Sequence, residues 1–238
     1  MLPTCLDSSN QGVWPKGGGD TLHKTKEEVV VIRAGRATIE GNLVIPQGAR
    51  GVVVFAHGSG SGRFSPRNQY VAKVLNGAGI GTLLIDLLTK KEEEIDTTTG
   101  EFRFDIDLLS QRLEMATKWL KKNVATKSLP VGYYGASTGA AAALIAAARF
   151  PNDVKTVVSR GGRPDLAVHD LRKVKVPTLF IVGEKDTVVL ELNMEAMKQV
   201  PAEKKLEIIP GATHLFEERG KLEKVAKIST EWFLAHLT

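Results

Sequence analysis

From Glu28 onward, apolar residues fall in short runs bounded by Gly and Pro, separated by longer stretches with a helical repeat. Residues 29–33 (VVVIR) form a run rich in β-branched residues, Gly35 interrupts it, and residues 37–45 alternate apolar with polar, which predicts an antiparallel pair. Pro46 and Gly48 mark a turn. The next run, 51–56 (GVVVFA), is continuously apolar, as expected of a strand buried on both faces. Further strands are predicted over 81–85, 131–134, 154–159, 178–182 and 206–209. Helices are predicted over 68–76, 105–123, 138–150, 190–200 and 218–237. The clearest is 105–123, whose stripe is Ile106, Leu109, Leu113, Ala116 and Leu120, with Asp105 placed to cap it. Residues 89–103 are polar, carry Glu92, Glu93 and Glu94, and read as a loop.

Repeated strand–helix units imply an α/β fold: a mostly parallel sheet covered by helices on both faces, with the antiparallel pair at its N-terminal edge. Residues 1–26 have no periodicity and contain Gly17, Gly18 and Gly19 in a row, so they read as a flexible arm. Residues 27–238 read as one domain, since no internal stretch resembles a linker and no repeat is visible.

Composition narrows the function classes. The chain has 238 residues, 42% of them hydrophobic and 25% charged, which suits a globular domain. The net charge of +5 is spread along the chain among acidic residues rather than clustered, so no nucleic-acid partner is expected. No run reaches the 18 or so apolar residues of a membrane span, and 1–26 lack the apolar core of a secretory signal. A cytoplasmic location is the expectation. The single cysteine, Cys5, lies in the arm and has nothing beside it to lower its pKa. No cluster of ligand types suggests a metal, and no motif suggests a cofactor. Oligomeric state is not legible.

The chemistry centres on Gly135-Ala136-Ser137-Thr138-Gly139, a G-x-S-x-G pattern between a predicted strand and a predicted helix. That context puts a serine on a sharp turn, with helix N–H groups behind it. A serine hydroxyl needs a base to act as a nucleophile. In the matching order, Asp186 follows strand 178–182 and His214 follows strand 206–209, so both loops open at the same sheet edge as Ser137. Glu184 competes for the acidic role. His23, His57, His169 and His236 fit the base position less well by their place in the chain. After the first parallel strand comes His57-Gly58-Ser59-Gly60-Ser61-Gly62, whose backbone can join Thr138 in an oxyanion hole through the Ser59 N–H. This loop lacks the Gly-Lys-Ser/Thr of a phosphate loop and the spacing of a dinucleotide fingerprint. Arg63, Arg67, Arg160 and Arg163 belong to loops expected to rim the site. They read either as a grip on an anionic substrate or as ties between loops.

The segments FAHGSGSGRFSPRN (55–68), GYYGASTGAAAAL (132–144), SRGGRPDLA (159–167), VGEKDTVV (182–189) and PGATHLFEE (210–218) resemble the dienelactone-hydrolase-related branch of the α/β-hydrolases. The family's type member has cysteine where this chain has Ser137. The resemblance implies the α/β-hydrolase fold without a large cap, and hydrolysis of small carboxylic esters or lactones. A thioesterase or peptidase using the same three residues, or a non-catalytic small-molecule-binding protein on the same fold, are the alternatives.

Overall fold

In the computed structural model, residues 27–34 and 37–237 are described; the predicted arm lies outside them. The strands are β1 (Glu27–Ala34), β2 (Ala37–Val44), β3 (Val52–Ala56), β4 (Gly81–Ile85), β5 (Val131–Ala136), β6 (Val154–Arg160), β7 (Thr178–Gly183) and β8 (Lys204–Ile209). They form one sheet in the order β1-β2-β4-β3-β5-β6-β7-β8. β1 pairs antiparallel with β2 and β2 with β4, and every later pairing is parallel. The antiparallel pair sits at the sheet edge as the sequence predicts.

The sheet divides the apolar residues between two cores by simple alternation. Val52, Val54 and Ala56 of β3 face one core, while Val53 and Phe55 face the other. The first core is covered by α3 (Ile106–Lys122), α4 (Thr138–Arg149) and α5 (Thr187–Gln199). The second is covered by α1 (Pro66–Gly77) and α6 (Lys221–His236). Two short 3-10 turns, Pro164–Ala167 and Leu171–Lys173, follow β6 in place of any cap. Asp105 caps α3 as predicted, its Oδ1 accepting from the Leu108 N–H at 2.9 Å. No helix of the described residues is long and apolar enough to cross a membrane.

One element departs from the sequence reading. Residues 89–103, which read as a loop in the sequence, contain α2 (Lys90–Thr99). It shows no apolar stripe because only Asp96 is buried, so periodicity missed it. Its ends hold it instead. Thr89 Oγ1 accepts from the Glu92 N–H at 3.2 Å, Glu92 Oε2 accepts from the Thr89 N–H at 2.7 Å, and Gly100 closes the helix in the left-handed region. Ion pairs fasten it sideways: Glu92 with Arg112 of α3 at 2.6 Å, and Asp96 with Arg103 at 2.6 Å.

Two contacts fix the loops that leave β3 and β5. A Cβ on Gly139, in the first turn of α4, would lie 2.3 Å from the Ala56 carbonyl oxygen and 2.4 Å from that of His57. Only glycine lets the helix start this close to the end of β3. His57 in turn bridges strands. Its Nε2 accepts from the Leu87 N–H at 3.0 Å, so the proton is on Nδ1, which donates to the Gly58 carbonyl at 2.9 Å. Burial holds the imidazole pKa below its ordinary value, outweighing the Gly58 hydrogen bond and nearby carboxylates that raise it.

Gly139→Ala is expected to destabilise the fold by about 2–3 kcal/mol, since the clash is with backbone that cannot rotate away. At roughly 2–4 °C per kcal/mol for a chain of this size, a thermal melt should fall by about 5–10 °C. A melt matching wild type would contradict the packing described. For His57 the sign follows from its lowered folded-state pKa. The unfolded chain takes up the proton as pH falls through 6.5 while the folded chain resists it, so this contribution is present above pH 6.5 and lost below. Thermal melts at pH 7.5 and 5 should therefore lose less stability in His57→Gln than in wild type. Identical losses in the two proteins would refute the assignment.

Candidate functional site

Where β5 becomes α4, the chain turns at Ser137 with φ 51° and ψ −121°, a conformation non-glycine residues adopt at a cost of about 1–3 kcal/mol. Backbone hydrogen bonds impose it. The Ser137 N–H donates to the Arg160 carbonyl at 3.2 Å, and the Ser137 carbonyl accepts from the Ala140 and Arg163 N–H groups at 3.1 Å each. Glycine is required on both sides of the turn. A Cβ on Gly135 would lie 2.4 Å from Ala140 Cα, and Gly139 abuts β3 as described. The result is a half-buried Ser137 at the carboxyl edge of the sheet, in front of a helix made almost entirely of buried small residues. Thr138 is the first residue of α4, so its N–H has no intrahelical acceptor.

Asp186 and His214 come together beside it. Asp186 Oδ2 lies 2.6 Å from His214 Nδ1. Their loops are locked to each other: the Lys185 N–H donates to the Ala212 carbonyl at 2.9 Å, and the Glu184 N–H to that of Ile209 at 3.0 Å. Gly183 permits the approach, since a Cβ there would lie 2.4 Å from the Ala212 carbonyl oxygen. Glu184, the competing acid, turns away from His214 and accepts from the Gly211 N–H at 2.6 Å. The Gly161 backbone, at φ 51°, passes so close to His214 that a Cβ on it would be 3.4 Å from the ring.

Ser137 and His214 line the same cavity of about 220 Å3, together with Ser59, Arg67 and Arg160. The hydrogen bonds of the described residues include the Asp186–His214 pair but none from the Ser137 hydroxyl to His214. The Gly58 loop abuts the turn closely, for a Cβ on Gly58 would be 3.1 Å from Ser137 Cβ. A second cavity, of about 180 Å3, lies on the other side of that loop. It is lined by Thr138, Leu109 and, from α2, Glu93 and Asp96. Thr138 Oγ1 is buried there without a hydrogen-bond partner among the described residues.

The four arginines part company. Arg67 and Arg160 line the cavity with Ser137. Arg63 instead ties the loop after β3 to the sheet edge, pairing with Glu40 at 2.7 Å and with Asp86 and bonding Asn42 Oδ1 at 3.0 Å. Arg163 folds back onto Asp165 at 2.7 Å. Arg63 thus joins separate elements, whereas the Arg163 pair stays within its own loop. Sequence reasoning passed over Asn68, which is 2% exposed and lines the Ser137 cavity. Its one legible signal was its place in the first turn of the helix after the Gly-rich loop.

Comparison with known proteins bears on the family and the fold. Residues 39–235 match the dienelactone hydrolase family. A dienelactone hydrolase from Anabaena variabilis has a solved structure that is 56% identical to this chain, with a TM-score of 0.89 over 91% of this chain and all of that one. Est1E from Butyrivibrio proteoclasticus shares the fold at 17% identity, with a TM-score of 0.74 over 87% of this chain and 98% of that one. A Mycobacterium tuberculosis protein that carries the name of a phosphoribosyl transferase is 55% identical over 212 residues, which make up 89% of this chain but 47% of that protein. The chain thus spans about half the length of that curated relative. With the α/β-hydrolase fold and a family match across most of its length, this chain belongs to the dienelactone hydrolase family.

Proposed function

We propose that this chain is a serine hydrolase that cleaves small carboxylic esters or lactones through an acyl-enzyme on Ser137. One observation carries the reading. The 2.6 Å Asp186–His214 pair opens onto the cavity where Ser137 is held in a strained turn at the start of α4. His214 takes the Ser137 proton as the hydroxyl oxygen attacks the carbonyl carbon. Asp186 holds the proton on Nδ1, leaving Nε2 as the base, and stabilises the imidazolium that forms. The N–H groups of Thr138 and Ser59 receive the charge that develops on the carbonyl oxygen. His214 then returns the proton to the leaving oxygen, and water activated by the same ring releases the acid. The esterases among the structural neighbours support the class of reaction, and one of them, Est1E, has been solved with ferulic acid bound. The small cavity and the absence of any cap after β6 favour small substrates. The name borne by the longer M. tuberculosis relative belongs to a protein twice this length and is not carried over.

Ser137→Ala should lower kcat/KM on p-nitrophenyl acetate at least ~10³-fold. Asp186→Asn, which leaves the shape intact but removes the charge that fixes the tautomer, should cost about as much through kcat. Glu184→Gln should stay within about threefold of wild type. Steady-state kinetics of the three variants decide between the acids. A Glu184→Gln loss equal to that of Asp186→Asn would reverse the assignment, and wild-type turnover by Ser137→Ala would end the serine mechanism.

A further inference from the structure

The cavity in front of Ser137 holds a cation that ester hydrolysis leaves unused. Arg160, the last residue of β6, is 6% exposed. It forms no ion pair among the described residues, and its buried Nε meets no acceptor. Its neighbours do not neutralise it. The buried Tyr134 hydroxyl beside it is a neutral neighbour, not a counter-ion, and the Phe216 ring centre lies 5.8 Å from its Cζ. Arg67, which lines the same cavity, is a second cation. Burial first, and the Arg67 charge after it, push the Arg160 guanidinium below its ordinary pKa, while Tyr134 opposes them. An arginine remains charged even so. A buried charge with no counter-ion is strongly unfavourable, and a bound anion would relieve it.

The rest of the wall is rich in donors. Arg67 pairs with Glu217 at 2.7 Å, so the three side chains carry one net positive charge, yet the buried Arg67 Nε has no acceptor. Arg67 and Asn68 stand in the first turn of α1, where no acidic residue occurs and the Ser65 side chain makes no cap. Their N–H groups have no intrahelical acceptor. Ser59, Ser61 and Ser65 add hydroxyls to the same lining. A carboxylate has two oxygens, which a single guanidinium fork satisfies. Donors arriving from β6, from α1 and from the Gly-rich loop match the three oxygens of a phosphate better.

We infer, on the hydrolase reading above, that the substrate of this chain carries a phosphate monoester, which Arg160 and Arg67 hold beside the carbonyl attacked by Ser137. Arg160 is the deep anchor and Arg67 the rim contact. The Glu217 partner of Arg67 is 62% exposed at its side chain, so it can be displaced when the anion enters.

The test uses the full chain with inorganic phosphate and acetate as probes, at constant ionic strength. Calorimetric titration of wild type should show phosphate binding at least tenfold tighter than acetate. Phosphate should also raise KM for p-nitrophenyl acetate while leaving kcat unchanged. Arg160→Gln and Arg67→Gln should each weaken phosphate binding at least tenfold. Arg67→Gln, on the rim, decides the matter should Arg160→Gln fail to fold. Acetate binding as tightly as phosphate would replace the phosphate with a carboxylate. No phosphate binding by wild type, or binding untouched by Arg67→Gln, would overturn the site. Titrating Ser137→Ala with phosphate separates the two claims, because loss of the nucleophile leaves this binding intact whichever way the kinetics fall.

Discussion

The structure depends on how closely α4 starts against the end of β3. Gly135 and Gly139 remove the side chains that would collide with the Ala140 backbone and with the carbonyls of Ala56 and His57. With those glycines in place the chain can reverse within one residue, and Ser137 takes the strain at φ 51°. Hydrogen bonds from the Arg160–Arg163 loop then keep the turn from relaxing. The same bonds set that loop, and so the Arg160 side chain, at a fixed place relative to the serine.

The remaining parts of the site arrive through equally short connections. The β7 and β8 loops are locked backbone to backbone, which brings Asp186 and His214 within hydrogen-bond reach and commits Glu184 to Gly211. On the other flank, His57 bridges Leu87 and Gly58 and so joins the Gly-rich loop to the end of β4. Arg63 anchors that loop to Glu40 and Asp86 at the antiparallel edge. The loop is thus a wall fixed at both ends, with a basic cavity on the side of Ser137 and a second cavity, bordered by α2, beyond it.

Much of this was legible in the sequence, because its signals are local. Runs such as GVVVFA and TLFIV announce strands buried on both faces, and the β1–β2 alternation announces an edge. Ser137, Asp186 and His214 each follow the carboxyl end of a parallel strand, β5, β7 and β8 in turn, which puts them at one edge. What stayed hidden depends on partners distant in the chain. α2 buries only Asp96 and is held by its caps and by Arg112 and Arg103, so apolar periodicity was silent even though the Thr89–Glu92 box was present. The arginines look alike in sequence. Only the fold shows Arg63 facing Glu40 and Asp86, and Arg160 facing a cavity with no acid opposite.

The central claim is that the Ser137 hydroxyl is activated by His214. Reaction with a fluorophosphonate, followed by intact-mass measurement and peptide mapping, tests it most directly. The account predicts a single adduct on the peptide carrying Ser137, formed in wild type and lost in His214→Ala. An adduct on any other residue, or ester turnover that continues undiminished in protein the reagent leaves unmodified, would contradict it.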